Sequence, residues 1–281
     1  MAEPDTRVLI RTTRVDADAL TLARRLQTAS GCSTALVADA RSGAVDSVDP
    51  DVIALSSAAC QPLQLFCPPD FAWRCGDYGY YLARRRYPAT QRFWLIETDV
   101  AIHGGEAADF FAFFAARAPD VDLLAAQLRP ADGSWYWTQF ARGRDVQPFR
   151  CLFPITRLSV RAIDAALARR VAQGRWPQRR WLWPNDEALI ATTLMNGEFV
   201  CRDFNDFGTT FYSDDSFFFG APLQGERLQL EAQGPRLVHP VLFGDAHREK
   251  LAKLAQPEAP ISAFERLRRS LATKLNACSR W

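Results

Sequence analysis

The sequence predicts an α/β fold on a mostly parallel central sheet, and three observations carry that prediction. The opening "RVLIRTTR" is a short apolar run ending in polar residues. It is followed by "ADALTLARRLQTAS", where Leu20, Ala23 and Leu26 recur at helical spacing, and by "STALVADA", a second apolar run closed by Asp39. A strand, a helix and a strand within so short a stretch join most simply as a parallel pair with a helical crossover. The second observation is that the alternation continues. "DVIALSS" reads as a third strand, "GDYGYYLARRRYP" as a helix stopped by Pro88, and "EAADFFAFFAARAP" and "VDLLAAQLR" as the next helix and strand. The third is "FWLIETDV", whose unbroken apolar start reads as a strand buried on both faces.

A chain of 281 residues suits one compact domain. Residues 1–129 read as a nucleotide-binding half, because ligands collect at the carboxyl ends of parallel strands. After Arg129 the pattern changes. "GSWYWTQF" is aromatic-rich, "RCLFPITRLSVRAIDAALARRVAQG" reads as a strand entering a helix capped by Ser159, and "NDEALIATTLMNG" as a helix from near Asn185 to Gly197. Residues 130–244 are thus expected to shape the substrate side of a shared sheet. Within them, "DFNDFGTTFYSDDSFFFG" has no clear period and reads as a mobile loop or lid. Residues 245–281 read as a helical segment, whose basic amphipathic end places Phe264, Leu267, Leu271 and Leu275 on one stripe. That stripe packs on the domain or touches a membrane surface.

The 34 Lys and Arg against 32 Asp and Glu give a net charge of +2, which supplies no electrostatic reason to expect nucleic acid. The runs Arg84–Arg86 and Arg179–Arg180 are solvated faces or local anion contacts. Seven dispersed cysteines without a CxxC pair fit a reducing compartment and no structural zinc. The acidic start "MAEPD" and the lack of a long apolar run predict a cytoplasmic, unexported protein.

Alternate strand residues share a face, so Glu97 and Asp99 leave the buried strand on one side. Such carboxylates repel each other unless a cation or donors intervene. Mg2+ or Mn2+ suits oxygen ligands; the alternative is that one acid caps the following helix and the other is solvated. One of only three histidines, His239, ends the short apolar run "RLVHPV", where it is a third metal ligand or a structural histidine. Asp186 and Glu187 open a helix behind "RWLWPN", a place that the helix dipole favours for acids in any case. Trp135, Trp137, Trp181 and Trp183 suit the faces of sugar rings or the core.

The ordered set "RVLIRTTR", "LVADA", "WRCGDYGYYLARRRYP", "FWLIETDV", "RLS" from Arg157, "WPNDEALIATTL" and "VHPV" resembles the GT-A fold glycosyltransferases, with ExD in place of the family's DxD. The resemblance spans about residues 7–243. It implies a three-layer α/β/α sandwich with a Rossmann-like N-terminal half, and transfer of a sugar from a nucleotide-diphosphate donor, UDP-linked before GDP-linked, to a glycan or glycoconjugate acceptor, as in bacterial surface polysaccharide synthesis. Carried over by position, Asp99 and His239 would hold Mn2+ or Mg2+, with Glu97 at the metal or the ribose. Arg11, Thr12, Asp39 and Asp77 would surround the nucleotide, Arg74 would contact phosphate or base, and Glu187, then Asp186, would serve as base. Trp135 and Trp137 would meet the acceptor. A sugar nucleotidyltransferase is the alternative within this chemistry, although "RTTRVDADAL" lacks a glycine-rich phosphate loop. A non-catalytic nucleotide- or glycan-binding module is the other.

Overall fold

The computed structural model describes residues 5–41, 51–132, 135–141, 146–177, 182–230 and 236–256. The first half contains β1 (Thr6–Thr12), α1 (Ala17–Ser30), β2 (Ser33–Asp39), β3 (Val52–Leu55), α2 (Ser57–Cys60), α3 (Phe71–Arg74), α4 (Tyr78–Arg86), β4 (Arg92–Glu97), β5 (Ala101–His103), α5 (Ala107–Arg117) and β6 (Leu123–Pro130). The second contains β7 (Phe149–Ser159), α6 (Val160–Gly174), α7 (Asp186–Met195), β8 (Cys201–Asp203), β9 (Leu223–Gln224), β10 (Arg236–Val238), β11 (Val241–Leu242) and α8 (Gly244–Ala255).

Seven strands form one sheet in the order β3-β2-β1-β4-β7-β6-β8. Only β7 runs against its neighbours; the other pairings are parallel. The sheet is therefore mostly parallel, and both halves of the chain contribute to it. Its register aligns Arg11 of β1 with Val37 of β2 and with Glu97 of β4, so the three strands end on one edge.

Helices cover both faces, giving the expected three layers. In β4, Phe93 and Leu95 enter the core beneath α4, α6 and α7, while Trp94 and Ile96 enter the core beneath α1 and α5. Period-two side chains on a strand covered on both sides account for the unbroken apolar run. Trp94 stacks on Phe204 at 6.2 Å, with Phe110 at 5.7 Å and Phe114 at 6.2 Å beside it, and a fully buried aromatic of this size contributes roughly 1.5–3 kcal/mol. Caps fix the helix starts at the expected places. Ser159 accepts from the Ala162 amide at 3.3 Å and Asn185 from the Ala188 amide at 3.0 Å.

The segment from Asp203 to Gly220 is not the lid its composition suggested. Phe204, Phe211 and Phe217 are fully buried. Asn205 accepts from the Phe211 amide at 2.7 Å and donates to the Tyr212 carbonyl at 3.1 Å. The aromatics have no period because they plug the outer core individually rather than lining one face. The stripe Phe264, Leu267, Leu271 and Leu275, the pair Arg179–Arg180 and Trp181 lie outside the described residues. Among the described residues, no helix is long and apolar enough to cross a membrane.

Candidate functional site

β4 ends at Glu97, and Asp99 follows in a turn closed by the Val100 amide on the Glu97 carbonyl at 3.2 Å. A small antiparallel ladder brings the distant histidine here. Val238 of β10 pairs with Ala101 of β5, so His239, one residue further, reaches the turn, and the Val241 amide donates to the Asp99 carbonyl at 2.8 Å. Ligating atoms of Glu97, Asp99 and His239 lie within 4.8 Å of one another.

This donor set fits a divalent cation. His239 Nδ1 is 2.8 Å from the Phe218 carbonyl, an acceptor only, so Nδ1 carries the proton and the Nε2 lone pair is left for a ligand. Nε2 stands 3.7 Å from Asp99 Oδ1. Burial, and then the Glu97 charge, raise the Asp99 carboxyl above its ordinary value. Mixed oxygen and imidazole donors suit Mn2+ and also admit Mg2+.

A second acidic pair sits beside the first. Arg11 Nη1 is 2.8 Å from Glu97 Oε1 and 3.6 Å from Asp186 Oδ2, which also accepts the Gly76 amide at 2.8 Å. Asp186 and Glu187 begin α7 and are both almost buried. Burial pushes the Asp186 carboxyl up to about 7 even with Arg11 nearby. Glu187 is raised too, first by burial and then by the Asp186 charge; Asn185 Nδ2 donates to its Oε2 at 2.8 Å.

The other expected residues fall in three places. Thr12 and Asp39 lie on the same edge of the sheet, Thr12 donating to the Arg14 carbonyl at 2.7 Å and Asp39 gripped by Arg41, whose hydrogen bond holds its carboxyl low. Trp135 and Trp137 lie on the α7 side, packed against the small cluster of Phe140, Ala141 and Ala188. Arg74 is nearly buried, with Nε 3.0 Å from Asp70 Oδ2 and its guanidinium 5.2 Å from the Trp137 ring.

Asp77 is a correction. It has no solvent exposure, its oxygens take Arg170 Nε at 2.7 Å and Nη2 at 2.8 Å, and Tyr81 donates to it at 2.7 Å. With no open face, it braces helices instead of meeting a nucleotide. Neither this pairing nor the bridge that Arg11 makes from Glu97 to Asp186 is legible in the sequence, because the partners lie between about ninety and about 175 residues apart and mark no local motif. Trp73, 64% exposed beside Trp137, was also missed; nothing in "FAWRC" sets it apart from a core tryptophan.

No family model and no curated protein matches the chain. Solved structures resemble it loosely. A glycosyltransferase involved in the glycosylation of the major capsid of PBCV-1 has 10% identity, covering 71% of this chain and 83% of that one, with a TM-score of 0.37. Mouse xyloside xylosyltransferase 1 has 11% identity, covering 71% and 84%, with a TM-score of 0.41. A Bacillus anthracis protein described as a glucose-1-phosphate thymidylyltransferase has 8% identity, covering 71% and 86%, with a TM-score of 0.37.

Proposed function

We propose that this chain is a metal-dependent glycosyltransferase that moves a sugar from a nucleotide-diphosphate donor to a hydroxyl acceptor. The observation carrying the reading is the gathering of Glu97, Asp99 and His239 within 4.8 Å at the carboxyl edge of β4, with the Asp186 carboxylate one guanidinium away. The edge where parallel strands end is where a nucleotide binds in such sheets.

In this reading Asp99 and His239 hold Mn2+ or Mg2+, and Glu97 completes the set or meets the ribose. The cation, when bound, supplies positive charge to the diphosphate leaving group. Arg11, Thr12 and Asp39 line the neighbouring strand ends on the nucleotide side. Asp186 is the better-poised proton acceptor for an incoming hydroxyl, since a base works best when its pKa lies near the working pH and its own is about 7. Glu187, whose carboxyl is raised by burial and then by the Asp186 charge, orients its neighbour through its amide, which donates to Asp186 Oδ1 at 2.8 Å. Trp135 and Trp137 stand on the α7 side, where an acceptor sugar would stack.

Release of nucleoside diphosphate from UDP- and GDP-linked sugars, measured with Mn2+ and with EDTA, tests the proposal. Metal-dependent release lost in Asp99→Ala is expected. No release from any donor, together with no donor-induced change in melting temperature, would overturn it.

A further inference from the structure

The guanidinium of Arg11 has no terminal nitrogen left uncommitted. Nη1 is bound to Glu97 Oε1 at 2.8 Å and faces Asp186 Oδ2 at 3.6 Å, while Nη2 donates to the Ala72 carbonyl at 3.2 Å and the Trp73 carbonyl at 3.0 Å. Its side chain is only 14% exposed. Gly76 encloses it further, since a Cβ there would lie 2.2 Å from Nη1 and 2.6 Å from Asp186 Oδ2. Four separate segments, the ends of β1 and β4, the turn of α3 and the start of α7, meet on this one cation.

We propose that Arg11 is a positioning residue and the resident counter-cation of the metal centre, holding Glu97 in place and opposing entry of a free divalent cation, so that the metal binds best together with an anionic diphosphate. This rests on the metal-centre reading above. The physical ground is Coulombic. A fixed positive charge hydrogen-bonded to one of the three ligands repels an incoming dication, in a partly buried place where the effective dielectric is far below that of water. Losing the clamp loosens Glu97, but one freed side chain costs less than that repulsion. The net sign is therefore tighter metal binding when the charge is removed. A diphosphate offsets the same charge, which couples its binding to that of the metal.

The test is Mn2+ titration of the full chain by electron paramagnetic resonance, with and without UDP, for the wild type, Arg11→Met and Arg11→Lys, with Arg11→Gln as a second neutral variant should the Met protein not fold. Free Mn2+ is expected to bind Arg11→Met about tenfold more tightly or better, and Arg11→Lys within about threefold of wild type. UDP should enhance Mn2+ affinity less in Arg11→Met than in wild type. Unchanged or weaker Mn2+ binding in the neutral variant, or loss of UDP affinity in EDTA with no change in Mn2+ affinity, overturns the inference and makes Arg11 a phosphate contact. Asp99→Ala separates the two failures. If it abolishes Mn2+ binding while the neutral variant shows no tightening, the inference alone falls; if it leaves Mn2+ binding intact, the metal centre is elsewhere and both fall.

Discussion

Two arginine–carboxylate systems sit in neighbouring parts of this molecule and are built for different ends. The Arg170–Asp77 pair is closed. Both side chains are fully buried, Arg170 Nη1 also donates to the Pro184 carbonyl at 2.9 Å, and the guanidinium lies between Tyr78 and Trp183 at 5.5 and 5.2 Å. The Arg11 system is open and unbalanced. One cation faces Glu97 and Asp186, Asp99 stands beyond them, and Glu97 and Asp99 keep 24% and 30% of their side chains exposed. The first arrangement satisfies its charges internally and fixes the loop before α7; the second leaves negative charge unspent at the surface, which is what a ligand site requires.

Breaking the closed pair should have the largest effect. Arg170→Met strands a fully buried carboxylate and should lower stability by about 3–5 kcal/mol, read by urea denaturation. If the loss is under 1 kcal/mol, the contrast drawn here between closed and open pairs does not hold.

On the open side the sign reverses. Asp186 titrates from 3.8 in an ordinary setting to about 7 in the fold, so between those values the folded state binds more protons than the unfolded one. Stability contributed by this group therefore falls as pH rises from about 4 to about 7. Asp186→Asn, which keeps an acceptor for the Gly76 amide, should be more stable than wild type at pH 8 by on the order of 2 kcal/mol, with the gap closing toward pH 4. A gap that stays constant across that range would contradict the buried, raised carboxyl.

Gly76→Ala should have a smaller effect. Its Cβ displaces the guanidinium or the Asp186 carboxylate without removing a charge, and about 1–2 kcal/mol of overpacking is expected in thermal melts. No loss would show that the contact yields freely.

The same contrast marks what could be read from the sequence. The order of the longer strands and helices, the caps Ser159 and Asn185 and the buried character of β4 were legible, because period, capping chemistry and apolar runs are local; the short β5, β8, β9 and β11 were not. Glu97, Asp99 and His239 were legible as candidates, since acids and histidine at strand ends are conspicuous. That Asp77 is buried was not, because its partner Arg170 stands in another helix and an exposed acid looks the same in sequence. Nor could the aromatic segment after Asp203 be recognised as core. Phe204 docks on Trp94 of β4 and on α5, Phe211 on α5, and Phe217 on Tyr212 and His239, and only the fold brings those surfaces together.

The central claim is that Glu97, Asp99 and His239 form a divalent-metal centre. Thermal unfolding of the wild type, Asp99→Asn and His239→Ala with millimolar Mn2+ and UDP, against EDTA controls, tests it most directly. Ligands that bind only the folded state should raise the wild-type melting temperature, by linkage, and leave both variants unmoved. An equal rise in all three proteins would place the metal elsewhere and contradict the account.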